Sequence, residues 1–114
     1  MKTLNPREAA QGAVAAASSR AASAVVHDSA DARLVVFRIE PGQAVAPHRS
    51  TSTVILSVLE GTALLSGEEN GDAREYSLVR GDAVVYAPGE LHGMRALQER
   101  VLLLATITPR PGTR

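Results

Sequence analysis

From about Ala24 to the C-terminus the chain alternates short apolar runs with turn residues. "AVVHD" ends in the turn-forming cluster "SAD", and "ARLVVFRIE" stops at "PG". "TSTVILSVLEG" and "TALLSGEENGD" are joined at Gly61, and "REYSLVRGD", "AVVYAPGE", "LHGMRAL" and "RVLLLATITP" follow. Runs of this length, each closed by Gly, Pro or Asp, predict an all-β sandwich or barrel. No long helical period interrupts them, which excludes a βαβ architecture. Ahead of this series "NPRE" predicts a short helix: Asn5 caps it, Pro6 fits the first helical position and Glu8 stands three past the cap. Gly12 is its expected stop. There is no repeat and no linker, so residues 1–23 read as an N-terminal arm and 24–110 as one barrel domain.

Several strands are apolar on both faces. Val54, Leu56 and Val58 share one side of their run and Ile55 and Leu59 the other; "LVVF" and "VLLLA" behave alike. A small barrel wall normally has one wet face. Two dry faces require a second cover, and the simplest is another copy of the chain, so the pattern predicts a homodimer.

Composition narrows the function. The chain has 114 residues, 45% hydrophobic and 21% charged, with 12 basic residues against 12 acidic ones. A balanced charge gives no field toward nucleic acid or an anionic membrane. The absence of cysteine excludes disulfides and thiolate metal sites. No apolar run approaches a membrane span. The alanine-rich start is interrupted by Pro6, Arg7, Glu8 and Arg20, which makes it a poor export signal, and a cytoplasmic protein is expected.

Spaced glycines and histidines then carry a family resemblance. Gly42 precedes His48 with five residues between, and Gly61 closes that stretch; Gly81, Gly89 and His92 repeat such a spacing further on. The chain resembles the cupins, single-domain jelly-roll (double-stranded β-helix) barrels of the RmlC-like type, whose motifs read G-x5-H-x-H-x3-E-x6-G and G-x5-P-x-G-x2-H-x3-N. Two positions depart: proline is shifted by one, to Pro88, and Ala96 takes the place of the last asparagine.

In metal-binding cupins three histidines and a glutamate hold a divalent ion. Carried over by the resemblance, those positions here are His48, Ser50, Val54 and His92. A serine is a poor ligand and a valine is none, so His48 and His92 form an incomplete set for a divalent transition metal, and no cofactor is expected. His27 and Glu60, the other candidates, read as surface groups. The expected ligand pocket is His48, Ser50, Val54, Tyr86, His92 and Met94. Imidazoles in such an apolar pocket stay neutral near pH 7 and suit hydrogen bonding to a small, mostly apolar molecule.

Three functions compete at this level. One is a binding or sensing module for a small molecule. A second is an enzyme: a metal-dependent oxygenase or isomerase, or a metal-free isomerase or epimerase that uses His48 and His92 with an acid such as Tyr86. The third is a structural dimeric barrel.

Overall fold

A computed structural model describes residues 1–112. The helix α1 spans Pro6–Gln11. Its cap is the expected one, with Asn5 Oδ1 accepting from the Glu8 amide at 3.1 Å. Ten strands follow: β1 (Val14–Ala15), β2 (Ala22–Asp28), β3 (Arg33–Ile39), β4 (Ala44–Arg49), β5 (Thr53–Glu60), β6 (Thr62–Glu69), β7 (Asp72–Val79), β8 (Ala83–Tyr86), β9 (Leu91–Ala96) and β10 (Val101–Thr108). All pair antiparallel, in a six-stranded sheet ordered β1-β2-β3-β10-β5-β8 and a four-stranded sheet ordered β4-β9-β6-β7. The chain is a jelly roll: its strand pattern predicts a sandwich or barrel, and the resemblance to the cupins implies this form.

Alternation along each strand builds the core between the sheets. Val54, Leu56 and Val58 of β5 point inward, with Val101, Leu103 and Ala105 of β10 and Leu65 of β6. Ile39, Val101 and Leu103 are fully enclosed. Gly61 makes the β5–β6 corner at φ 79°, where a side chain would also collide with the Arg100 carbonyl. Only glycine combines that conformation with that approach.

The two-sided strands find part of their second cover within the chain. Helix α1 lies on the outer face of the six-stranded sheet, and its Ala10 is buried with Val36 and Leu102 in a small second cluster. Arg38 locks it there, donating to the carbonyls of Ala10 (2.6 Å), Gln11 (3.2 Å) and Ala13 (3.0 Å) at the helix C-terminus. These donors satisfy carbonyls that a helix end leaves unpaired. The arm is thus tied into the sheet, and β1 extends it through pairs with Ala22 and Ser23. Beyond the helix the outer face stays open: Ile55 pairs across with Val85 and Thr106, and Thr106 with Leu34. No helix among the described residues is long and apolar enough to cross a membrane.

Candidate functional site

His48 and His92 are direct cross-strand partners on β4 and β9. A bulge brings them opposite one another. Val45 pairs with Met94, yet three residues further along β4 His48 pairs with a residue only two back along β9. The extra residue restores an inward direction to His48. Gly93 makes room for it, since a Cβ there would come within 3.0 Å of Pro47 backbone atoms. Glycine in this strand marks a close backbone approach rather than a turn.

The two imidazoles meet edge to face, with centroids 4.2 Å apart and planes at 61°. Each is oriented by its own strand. His48 Nδ1 lies 2.9 Å from the Ala46 carbonyl, and His92 Nδ1 lies 3.3 Å from the Glu90 carbonyl. A carbonyl only accepts, so Nδ1 carries the proton in each neutral ring and Nε2 keeps its lone pair. The environments differ: His92 is buried, and His48 is exposed at the rim. Burial lowers the His92 pKa below the usual imidazole value, the Glu90 carbonyl opposes that shift, and the charge of His48 adds to it. The expectation of an imidazole kept neutral by burial therefore applies to His92; His48 does not have that enclosure.

The pair stands in a cavity of about 430 Å³ inside the barrel. Ser50, Val54 and Met94 line the same cavity, so five of the six residues singled out in the sequence converge. Tyr86 does not join them. It is buried behind His92, with ring centroids 5.2 Å apart, and its hydroxyl donates to the Ser66 carbonyl at 2.7 Å. Its ring faces a neighbouring cavity. Burial pushes its phenol up to about 12, and Glu90 and Tyr76 add to the shift. His27 is far from the pair, against Lys2 and Ser29 on the outer edge.

Six lining residues went unread in the sequence: Phe37, Thr51, Leu56, Ala105, Ile107 and Pro111. Leu56 shares parity with Val54, and Ala105 and Ile107 alternate along β10, so the strand period could have found them. Pro111 has no such signal. The C-terminal segment crosses the cavity rim because Ser52 Oγ donates to the Pro109 carbonyl at 2.7 Å and Arg110 pairs with Asp28 at 2.7 Å. Arg49, expected to point away from the His48 face, also lines the cavity, and its guanidinium grips Glu68 at 2.7 and 3.1 Å and the Gly89 carbonyl at 2.9 Å.

The cavity offers a metal ion two imidazoles, the hydroxyls of Ser50 and Thr51 and a largely apolar wall that also carries Arg49. Among the described residues no group of three or more histidine, aspartate or glutamate side chains is gathered to hold an ion. Sites that hold a catalytic divalent ion generally supply at least three protein ligands, so this donor set does not fit one.

No family model and no curated protein matches the chain. Solved structures do. An RmlC-like cupin from Desulfovibrio desulfuricans is 27% identical, with 96% of this chain and 97% of that one covered and a TM-score of 0.73. A double-stranded β-helix protein from Klebsiella pneumoniae is 21% identical over 96% and 91% of the two chains, with a TM-score of 0.80. KdgF from Halomonas sp. is 21% identical over 96% and 95%, with a TM-score of 0.78. The fold is that of the cupins, the RmlC-like double-stranded β-helix proteins.

Proposed function

We propose that this barrel is a small-molecule-binding cupin whose histidine pair recognises ligand directly rather than through a resident metal. The observation that carries this reading is the orientation of the two rings. Each spends its Nδ1 proton on its own strand and leaves Nε2 as an acceptor beside an apolar wall. The matching ligand has an apolar body and one hydroxyl or similar donor. A donor that reaches a buried acceptor gains specificity, because a ligand without one leaves that acceptor unpaired. Tyr86 is a poor catalytic acid: its hydroxyl is committed to Ser66 and its phenol holds its proton to about pH 12. Binding or sensing is therefore favoured over metal-free isomerisation.

Phenol and toluene form a matched pair of probes for this reading. Phenol should give saturable shifts of the His92 imidazole nitrogens and of the Ile107 methyls, and bind about tenfold more tightly than toluene, equal to ~1.4 kcal/mol for one hydrogen bond. His92→Leu should abolish that difference. Equal binding of the two probes by the parent would refute direct recognition by the imidazoles.

We also propose that the barrel is a homodimer. Ile55, Val85, Leu104 and Leu34 form an uncharged strip on the outer face that α1 leaves open, and Val85 is 63% exposed. Sedimentation at micromolar concentration should give twice the 11.9 kDa chain mass, and Val85→Lys should restore the monomer. A parent chain that sediments as a monomer would overturn this.

A further inference from the structure

A second cavity, of about 390 Å³, opens beyond Tyr86, where β7 and β8 end their respective sheets and face each other without pairing. This volume lies in the range of ~300–1,000 Å³ that small-molecule sites occupy. Its apolar surface comes from Leu65, Leu78 and Val84 and from the rings of Tyr76 and Tyr86. Gly67 keeps both rings uncovered: a Cβ there would stand 3.5 Å from the Tyr76 ring and 3.8 Å from that of Tyr86.

Its charge is one-sided. Glu68, Asp82 and Glu90 line it, and among the described residues no Lys, Arg or His does. Glu68 is already matched by Arg49. Among the described residues no cation pairs with Asp82 or Glu90. Each uses one carboxylate oxygen on a backbone amide, Asp82 on Val79 at 3.0 Å and Glu90 on Ala87 at 2.7 Å. These bonds fix the two side chains and leave the second oxygen of each for a ligand. The charge of Glu90 is felt at the Tyr86 phenol, so its field reaches the cavity.

We propose that this seam cavity binds a small organic cation, an ammonium head on an aromatic or aliphatic body. The two phenol rings accept the body and attract the charge through their faces. The free carboxylate oxygens of Glu90 and Asp82 take the ammonium protons in charge-assisted hydrogen bonds. An anion would meet two uncompensated carboxylates, and a neutral body would strip water from them without replacing it. None of its carboxylates lines the histidine cavity, although Glu68 pairs with Arg49, which does, and Tyr86 stands between the two.

Phenethylammonium and the neutral 2-phenylethanol test this on the full chain by NMR titration. Phenethylammonium should shift Leu78, Val84 and the Tyr76 ring saturably and leave Ile107 unmoved. The alcohol should bind ~10-fold more weakly, and Glu90→Gln should weaken the ammonium by a similar factor, the size expected for one charge-assisted hydrogen bond. Glutamine keeps the acceptor for the Ala87 amide, so the loop retains its anchor. Tyr76→Leu should weaken the ammonium more than the alcohol. The proposal fails if both probes bind alike, if the shifts fall on Ile107, or if ~10 mM ammonium gives none, a concentration that would mostly saturate a millimolar site.

Discussion

Leu103 and Ile107 stand four residues apart on the inner face of β10, at opposite ends of the barrel. Leu103 is fully enclosed, with Val58 as its cross-strand partner on β5. Ile107 faces the cavity that holds the histidines, with Val54 as its partner. The same two strands therefore fill one end and leave the other hollow. The difference arises in the facing sheet. At the closed end β9 presents Ala96 opposite Ala63, and at the open end it presents His92 opposite His48. Filling the closed end is a matter of aliphatic volume. Keeping the open end requires a bulge, a glycine and two ring nitrogens bonded to their own strands. Stability is concentrated at one end, and the proposed recognition belongs to the other.

Substitutions can break this contrast, and the largest effect belongs to the closed end. Leu103→Ala should cost ~2–5 kcal/mol, the range for a buried leucine whose cavity does not collapse, read from denaturant unfolding. It should leave phenol binding within about twofold, because the two ends share no lining residue there. A mild loss of stability would mean that the closed end is as loosely packed as the open one.

At the open end, Val54→Glu with Ser50→His converts the wall into a set of three imidazoles and one carboxylate. Without metal the buried carboxylate should destabilise the fold by ~1–3 kcal/mol. Nickel should restore the loss, because an ion bound only by the folded state stabilises it by mass action. Thermal melting with and without nickel reads both effects. An identical nickel response in the parent and the double variant would show that positions 48, 50, 54 and 92 do not converge on an ion.

Gly93→Ala probes the bulge. The added methyl meets Pro47 backbone at 3.0 Å, which must give way. A cost of ~1–3 kcal/mol is expected, as for overpacking elsewhere, with a change in the His48 ring resonances. Unchanged resonances would mean that the histidine pair does not depend on the bulge.

The smallest effect is electrostatic. Burial lowers the His92 pKa in the folded chain below its unfolded value near 6.5. Just below that value the unfolded chain binds more protons than the folded one, so stability rises with pH there. The contribution is complete above about 6.5 and is lost as pH falls through the folded value. His92→Leu should flatten this slope in urea unfolding between about pH 5 and 7.5. A slope unchanged in the variant would assign the acid sensitivity elsewhere.

Much of the barrel was legible because its signals are local. The cap at Asn5, the stop at Gly12 and the alternation of β5 and β10 depend on neighbours a few residues away. The glycines at 42, 61, 81 and 89 all take the positive φ that their turns require. What remained unread depends on distant partners. The rim segment is held by Ser52 on Pro109 and by Arg110 on Asp28. Nothing near Pro111 announces a cavity. Tyr86 alternates onto the inner face as expected, yet the Ser66 carbonyl holds its hydroxyl away from the histidines, and no local pattern encodes that choice. The outer face shows the same limit. Its second apolar side was evident, whereas the part that α1 covers depends on Arg38 reaching the helix end across 28 residues.

The metal-free reading of the histidine pair is tested most directly by metal content, measured by mass spectrometry on the full chain purified without a histidine tag. Two imidazoles beside a serine and a valine should retain iron, manganese, nickel, copper and zinc only far below one ion per chain. Near-stoichiometric amounts of any of these, lost in His92→Leu, would contradict the account and make the pair part of a metal site.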